Sequence, residues 1–549
     1  MRKHHHPTEY PPGLAGSCSV SRMDLSPRLR AVCDLDVAIV REYSGRHEYD
    51  GKPQDLSPAG VRAGLARLVA TRDNGERLAD PHDEAHLAAA EDLRLLTFAE
   101  LEMHRRNPIL HLVELELASY ERDYAPAAER AAAWVEHLAA WPRVVDAAIQ
   151  SLDQVSAPVA QALLSPARGL AVGISAGPEA SPDGGTWGTG GFGGSADETV
   201  REAALAAHAR LVAHLERTAA EGDPDSALGG PALSALMSTA EALAVDIGQL
   251  AEQADAERDR LLALLDEGCA QVAPGRPALE VARELVRVHP DARGVIDAGR
   301  LWTQRAIDFT HERDLVPYHD GECRVGLAPE SRRWAMAMMT PATPGEPDGP
   351  SWFHITPPEE SWPDDQQEAW LEVFSDTTLP GIAVHEVAPG HFSHGRALRR
   401  VTSDVRRTVH SEAFVEGWAH YAEELCVEEG FGADDPRIVI GIWLEALVRV
   451  TRLACAIGVH TAGMSVEQAA RRFEADTHLS GPAALSEARR ATFDPTYGRY
   501  TWGKLEILKL RERARKEWGA GFTLQRFHKA LLDLGSPPLG LLGTAVEQG

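Results

Sequence analysis

The sequence predicts a mainly α protein, a large assembly of many helices with one small β-sheet, and three observations carry that prediction. Most of the chain places apolar residues at helical spacing among strong helix formers. Between Leu315 and Pro357 the pattern changes to short alternating segments bounded by Pro and Gly. Directly after them come two stretches rich in His and Glu, about 25 residues apart.

At 549 residues the chain exceeds what one core holds, so two lobes are expected. Residues 1–22 read as a disordered tail, since they lack the apolar run of a secretory signal, and Met23 is a plausible first residue. Residues 23–315 then form a helical N-terminal lobe, and 316–549 a second lobe that carries the His/Glu stretches. A composition of 44% hydrophobic and 25% charged residues is that of a soluble globular protein. The net charge of -27, from 82 acidic against 55 basic residues, argues against nucleic acid or an anionic membrane as partner. Six widely spaced cysteines without a C-x-x-C pair suggest reduced thiols in a cytoplasm.

From Leu25 to about Asn107 the pattern is helical, with Ser57 and Asp83 as N-cap candidates. AERAAAWVEHLAAWPRVVDAAIQSL continues it, and its Trp134 and Trp141 share a face suited to a core. The glycine-crowded stretch 173–198 has no G-K-[ST] ending, so it reads as a surface loop and not a phosphate loop. Helices resume at Thr199 with no repeat of fixed period, which disfavours a solenoid. CRVGLAP, WAMAMMTP and SWFHITPP then read as two or three strands.

The stretch VHEVAPGHFSHGRAL, Val384 to Leu398, brings His385, Glu386 and His391 together in sequence. In the motif H-E-x-x-H two His four apart share a helix face and bind zinc, with the Glu between them as general base. Here Pro389 stands four residues after His385, and His391 follows six residues after it, roughly 120° around a regular helix. One ion can join both imidazoles only if the helix is deformed, and Pro389 with Gly390 supply the means. Otherwise this is a Pro-terminated helix with surface histidines. In HSEAFVEGWAHYAEEL, Glu412, Glu416, His420 and Glu424 recur every four residues as one polar stripe. Such a stripe is ordinarily a solvated face. Its pairing with the upstream cluster makes Glu416 the candidate third ligand of a His₂Glu zinc site, with Glu412 and His420 as partners that orient the ligands. His460 reads as a buried structural histidine. Arg490, Tyr497, Arg499 and Tyr500 cluster ahead of a basic helix, where packing and surface roles are common.

HEVAPGH, EAFVEGWAHYAEEL, GRYTWGKLEILKLRERA and FHKALLDLGSPPLGLL together resemble the bacterial domain of unknown function 885 family, which is grouped with the gluzincin metallopeptidases. That family follows approximately H-E-x-x-P-G-H, E-G-W-A-x-Y-A-E and Y-x-x-G-K. The likeness is sharpest from about 320 to 545, and upstream it rests on helical character. Where many relatives carry a second His and a Gln after the Pro-Gly-His, this chain has Phe392 and His394. The resemblance implies a zincin-like architecture of the oligopeptidase and carboxypeptidase kind, with the small sheet beside the active-site helix and a channel that admits short peptides. It implies Zn²⁺ on His385, His391 and Glu416, and Glu386 as general base. Tyr500 or His460 would stabilise the oxyanion, and Arg490 or Arg499, near Tyr497, would hold a substrate carboxylate. The expected function is a zinc metallopeptidase. A zinc amide hydrolase of specialised metabolites and a metal-free helical scaffold are the alternatives.

Overall fold

The computed structural model describes residues 25–171, 174, 195–329, 332–333, 335–346, 348–359 and 361–549. The expected tail at 1–22 lies outside the described residues, as does nearly all of the glycine-rich stretch, whose last residues open a helix.

Helices begin where the sequence offers a cap. Ser57 accepts from the Gly60 N–H ahead of helix Pro58–Asn74. The next helix, Pro81–Leu95, is capped by Asp80 and not by Asp83, because Pro81 takes the first helical position. Asp83 accepts instead from Ser403 Oγ and Arg406 Nε. Helix α1 (Ala127–Ser151) buries Trp134 and Trp141 in a core shared with Leu211 and Leu215 of α2 (Ser195–Glu221). Among the described residues no helix is long and apolar enough to cross a membrane.

The largest core joins Leu261 and Leu265 of α3 (Ile247–Val272) to Trp418, Leu444 and Leu447 far downstream. The expected lobe boundary at 315/316 therefore does not fall on a break in packing: apolar residues from Leu233 onward share one core with those up to Val546. The reason is that α3 turns an apolar stripe toward the C-terminal helices, a partnership its own amphipathic pattern leaves open.

Three strands, β1 (Cys323–Leu327), β2 (Ala337–Thr340) and β3 (Ser351–Ile355), form the sheet in the order β1-β3-β2. β1 runs parallel to β3 with Val325 opposite Phe353, and β2 runs antiparallel with Met339 opposite the same residue. Val325, Phe353 and Ile355 pack on Leu379, Ile382, Val387 and Phe392, so the sheet backs directly onto the chain that carries His385.

Two short helices follow, α4 (Leu379–Glu386) and α5 (His391–Leu398), then α6 (Glu412–Glu428), α7 (Pro436–Thr461), α8 (Gly481–Phe493) and α9 (Arg499–Trp518). Helices α6 and α9 cross where neither has a side chain: a Cβ on Gly417 would stand 2.5 Å from Gly503 Cα. This close approach sets Glu416, one residue earlier on α6, beside the first turn of α9. Gly417→Ala should force the helices apart, costing about 1–3 kcal/mol by overpacking, read as a fall in melting temperature; an unchanged melting temperature would show that the crossing can relax.

Candidate metal centre

The helix that starts at Leu379 stops at Glu386, and a new one starts at His391. The deformation that the His385–His391 spacing requires is thus a complete interruption. The Ala388–Pro389 peptide is cis, and the Gly390 N–H donates back to Val384 O at 3.2 Å. Gly390 has φ of -68°, so left-handed freedom is not its purpose. Space is: a Cβ there would lie 1.8 Å from His385 O. The interrupting loop is tied to α6 by Trp418, whose indole N–H donates to Pro389 O at 2.9 Å. The Trp of E-G-W thereby fixes the Pro-Gly of the first motif.

The result is a tight cluster. The His385 and His391 rings lie 4.8 Å apart at 87°. Glu416 Oε2 stands 3.5 Å from His385 Nε2 and 3.3 Å from His391 Nε2. One ligand atom from each of the three lies within 4.8 Å of the others. Glu416 Oε2 and Glu386 Oε2 are both buried without a hydrogen-bond partner. Among the described residues neither carboxylate has an Arg or Lys partner, in contrast to Glu423, Glu412, Asp494 and Glu487 nearby, which all have one.

Sequence reasoning missed Glu423. Its Oε1 lies 2.6 Å from His385 Nδ1, and it is held in turn by Arg449 at 3.2 Å and His420 Nδ1 at 3.3 Å. A signal was present: seven residues turn a helix by about 700°, so Glu423 points within about 20° of Glu416, closer than His420 does at four residues. His420 reaches the cluster through Glu423, and its Nε2 has no partner. Burial and Arg449 press the His385 imidazole down, but Glu416 and Glu423 outweigh them and raise it to about 9. Burial opposes ionisation of Glu416 as well, yet the two imidazoles hold it well below the usual carboxylate range. Burial raises Glu386. Glu423→Ala should weaken metal affinity by about 10–100-fold, the usual effect of losing a carboxylate behind a ligating His. Competition against a chelator would measure it, and wild-type affinity would show that His385 needs no such support.

The other expected site residues divide. Tyr500 stacks near His385, with ring centroids 6.3 Å apart at 25°, and its hydroxyl has no hydrogen-bond partner among the described residues. His460 is not an oxyanion donor: its Nε2 bonds Ala491 O at 2.8 Å and its Nδ1 accepts from Leu228 N–H at 3.3 Å, so both nitrogens are spent on backbone. Tyr497 is buried and donates to Glu487 at 2.5 Å, with Arg452 doubly bonded to the same carboxylate. Arg499 donates to Asp494 at 2.6 Å, and Arg490 donates to it at 3.3 Å. Glu412 contacts no ligand and faces Arg499 Nε at 3.4 Å. Phe392 is buried toward the sheet, and His394 turns away to Gly535 O and Ser536 Oγ.

The family model described as "Bacterial protein of unknown function (DUF885)" matches residues 39–546. The match takes in the N-terminal helices, where sequence motifs gave little. Two solved structures share the fold. One is a candidate lipoprotein of unknown function from Shewanella oneidensis, 19% identical, with a TM-score of 0.72, covering 95% of this chain and 98% of its own. The other is a candidate lipoprotein from Colwellia psychrerythraea, 16% identical, with a TM-score of 0.75, covering 95% and 96%. No curated protein matches the chain.

Proposed function

The chain belongs to the bacterial family DUF885, and from that premise and its His/Glu cluster we propose that it is a zinc-dependent hydrolase of zincin-like architecture, a metallopeptidase of short peptides. The observation that carries this reading is the position of Glu416 Oε2, 3.3 and 3.5 Å from two imidazole nitrogens. Ligands about 2.0–2.1 Å from a tetrahedral zinc stand roughly 3.3–3.4 Å apart. Charge supports it too, because Glu416 and Glu386 have no Arg or Lys partner among the described residues, and a divalent ion held between Glu416 and the two imidazoles would supply the counter-charge.

When bound, zinc would polarise a scissile carbonyl and bring the pKa of water toward about 7. Glu386, with a free buried oxygen, takes the proton of the attacking water and returns it to the leaving amine. Tyr500 donates its free hydroxyl to the developing oxyanion. Glu423 accepts from His385 Nδ1–H and so fixes the tautomer whose Nε2 faces Glu416.

The five described cysteines are all free thiols, which supports a cytoplasmic location; cell fractionation weighs it against the envelope location that the neighbours' description as lipoproteins suggests. The function itself is tested by elemental analysis of protein purified without added metal, followed by short-peptide hydrolysis. About one zinc per chain is expected, with activity lost to a chelator and restored by zinc. Metal-free protein that stays inactive after zinc loading would overturn the reading.

A further inference from the structure

We propose that this centre selects substrates carrying an ammonium group close to the scissile bond, and that Glu412 and Tyr43 receive it. The inference rests on the hydrolase reading above and names its substrate class.

The guanidinium groups around the cluster are turned inward and paired. Arg449 holds Glu423 and Glu445, Arg452 holds Glu487, and Arg499 and Arg490 share Asp494. Recognition of a substrate carboxylate by Arg490 or Arg499 would require breaking the Asp494 pairs and would set the new anion beside Glu412. The charge presented to solvent is the opposite one. The Glu412 side chain is 56% exposed, and its contact with Arg499 Nε, at 3.4 Å, is long beside the 2.6 Å bond from Arg499 to Asp494.

Glu412 lies one turn before Glu416 on α6, about 6 Å along the axis. Against this end of α6 the N-terminal lobe sets Tyr43, an exposed aromatic at 41%. Its ring meets His410 edge-on at 6.4 Å, two residues before Glu412. Ser44 anchors it, bonding His410 Nε2 at 3.1 Å and accepting from the Gly345 N–H at 3.2 Å. An acid in the first turn of a helix is accounted for by the dipole alone. That role does not call for an exposed phenol packed on His410, two residues before the acid, whereas an exposed carboxylate and an exposed aromatic ring at one helix end are the parts of a receptor for an ammonium.

A span of about 6 Å from the metal ligand fits two sources of the same group. One is the α-ammonium about two residues before the scissile carbonyl, at about 3.3–3.6 Å per residue. The other is a lysine side chain next to it.

The test compares peptides that share one scissile bond: free against acetylated at the α-amine, and lysine against norleucine beside the bond. Wild type is expected to prefer an amine-bearing member by about tenfold or more in kcat/KM, carried by KM, with the preferred pair identifying the source. Glu412→Gln and Tyr43→Ala should each erase that preference while zinc per chain stays at the wild-type value. Equal turnover of both members of both pairs, or a preference that survives Glu412→Gln, would overturn the proposal. Should wild type cleave nothing, the hydrolase reading fails separately, and calorimetric titration of lysine amide decides the amine site. Binding at least about tenfold weaker in Glu412→Gln than in wild type supports it, and equal binding overturns it.

Discussion

Glu416→Gln should leave the protein folded and its metal centre empty, with zinc falling from about one per chain to near zero and peptide hydrolysis falling below detection. The amide has the carboxylate's shape, so the crossing at Gly417 and Gly503 is untouched and a melting curve close to wild type is expected. What changes is the one atom that both imidazoles share, Glu416 Oε2. An anionic ligand is replaced by a neutral one that presents N–H groups to the same space. Since losing a carboxylate behind a ligand costs about 10–100-fold in metal affinity, losing the ligand itself should cost more than about 100-fold. His385→Ala should empty the centre equally, because it removes another of the three donors. The readout is zinc stoichiometry by elemental analysis, with thermal unfolding as the control. Full zinc content in folded Glu416→Gln would place the metal elsewhere and defeat the assignment of the cluster.

How much of this was legible before the fold was known depended on whether each feature is local. Helices, strands and the cap at Ser57 follow from spacing and short-range chemistry, and the structure has them. The sheet's order is not local, since β1 reaches β3 across β2 in sequence, and neither is the partnership of α3 with the C-terminal helices that erases the break at 315/316. In the cluster, the motif spacing already required a deformed helix. Its agent was only half visible: Pro389 and Gly390 open the loop, but Trp418, 28 residues beyond Gly390, holds it.

The residues offered for oxyanion and carboxylate binding have one feature in common, a partner that already holds them: backbone groups for His460, which is buried as its structural reading had it, Glu487 for Tyr497 and Asp494 for Arg490 and Arg499. Some of those partners stood in plain view, since Asp494 follows Arg490 by four residues on one helical edge, the usual spacing of an ion pair. The backbone partners of His460 could not be read at all. Ala491 O and the Leu228 N–H come from segments distant in sequence.

The sharpest separation of chemistry from metal binding should come from Glu386→Gln, which is expected to keep about one zinc per chain and lose about 10²–10⁴ in kcat, the usual worth of a general base. Glu386 closes α4 directly after His385, and adjacent helical side chains diverge by about 100°, so it borders the ligand set without belonging to it. Its Oε2 is buried with no partner and no nearby Arg or Lys committed to it. A carboxylate kept in that state is costly unless something uses it, and a water beside the cluster would. The Gln variant retains the volume and the hydrogen-bonding reach and loses the proton acceptor. KM should therefore change little, because the loss falls on a step that follows binding. Zinc content and steady-state kinetics on the same preparation give the answer. A variant that keeps its zinc and wild-type turnover would refute the base assignment, whereas zinc and activity lost together would make Glu386 a fourth ligand.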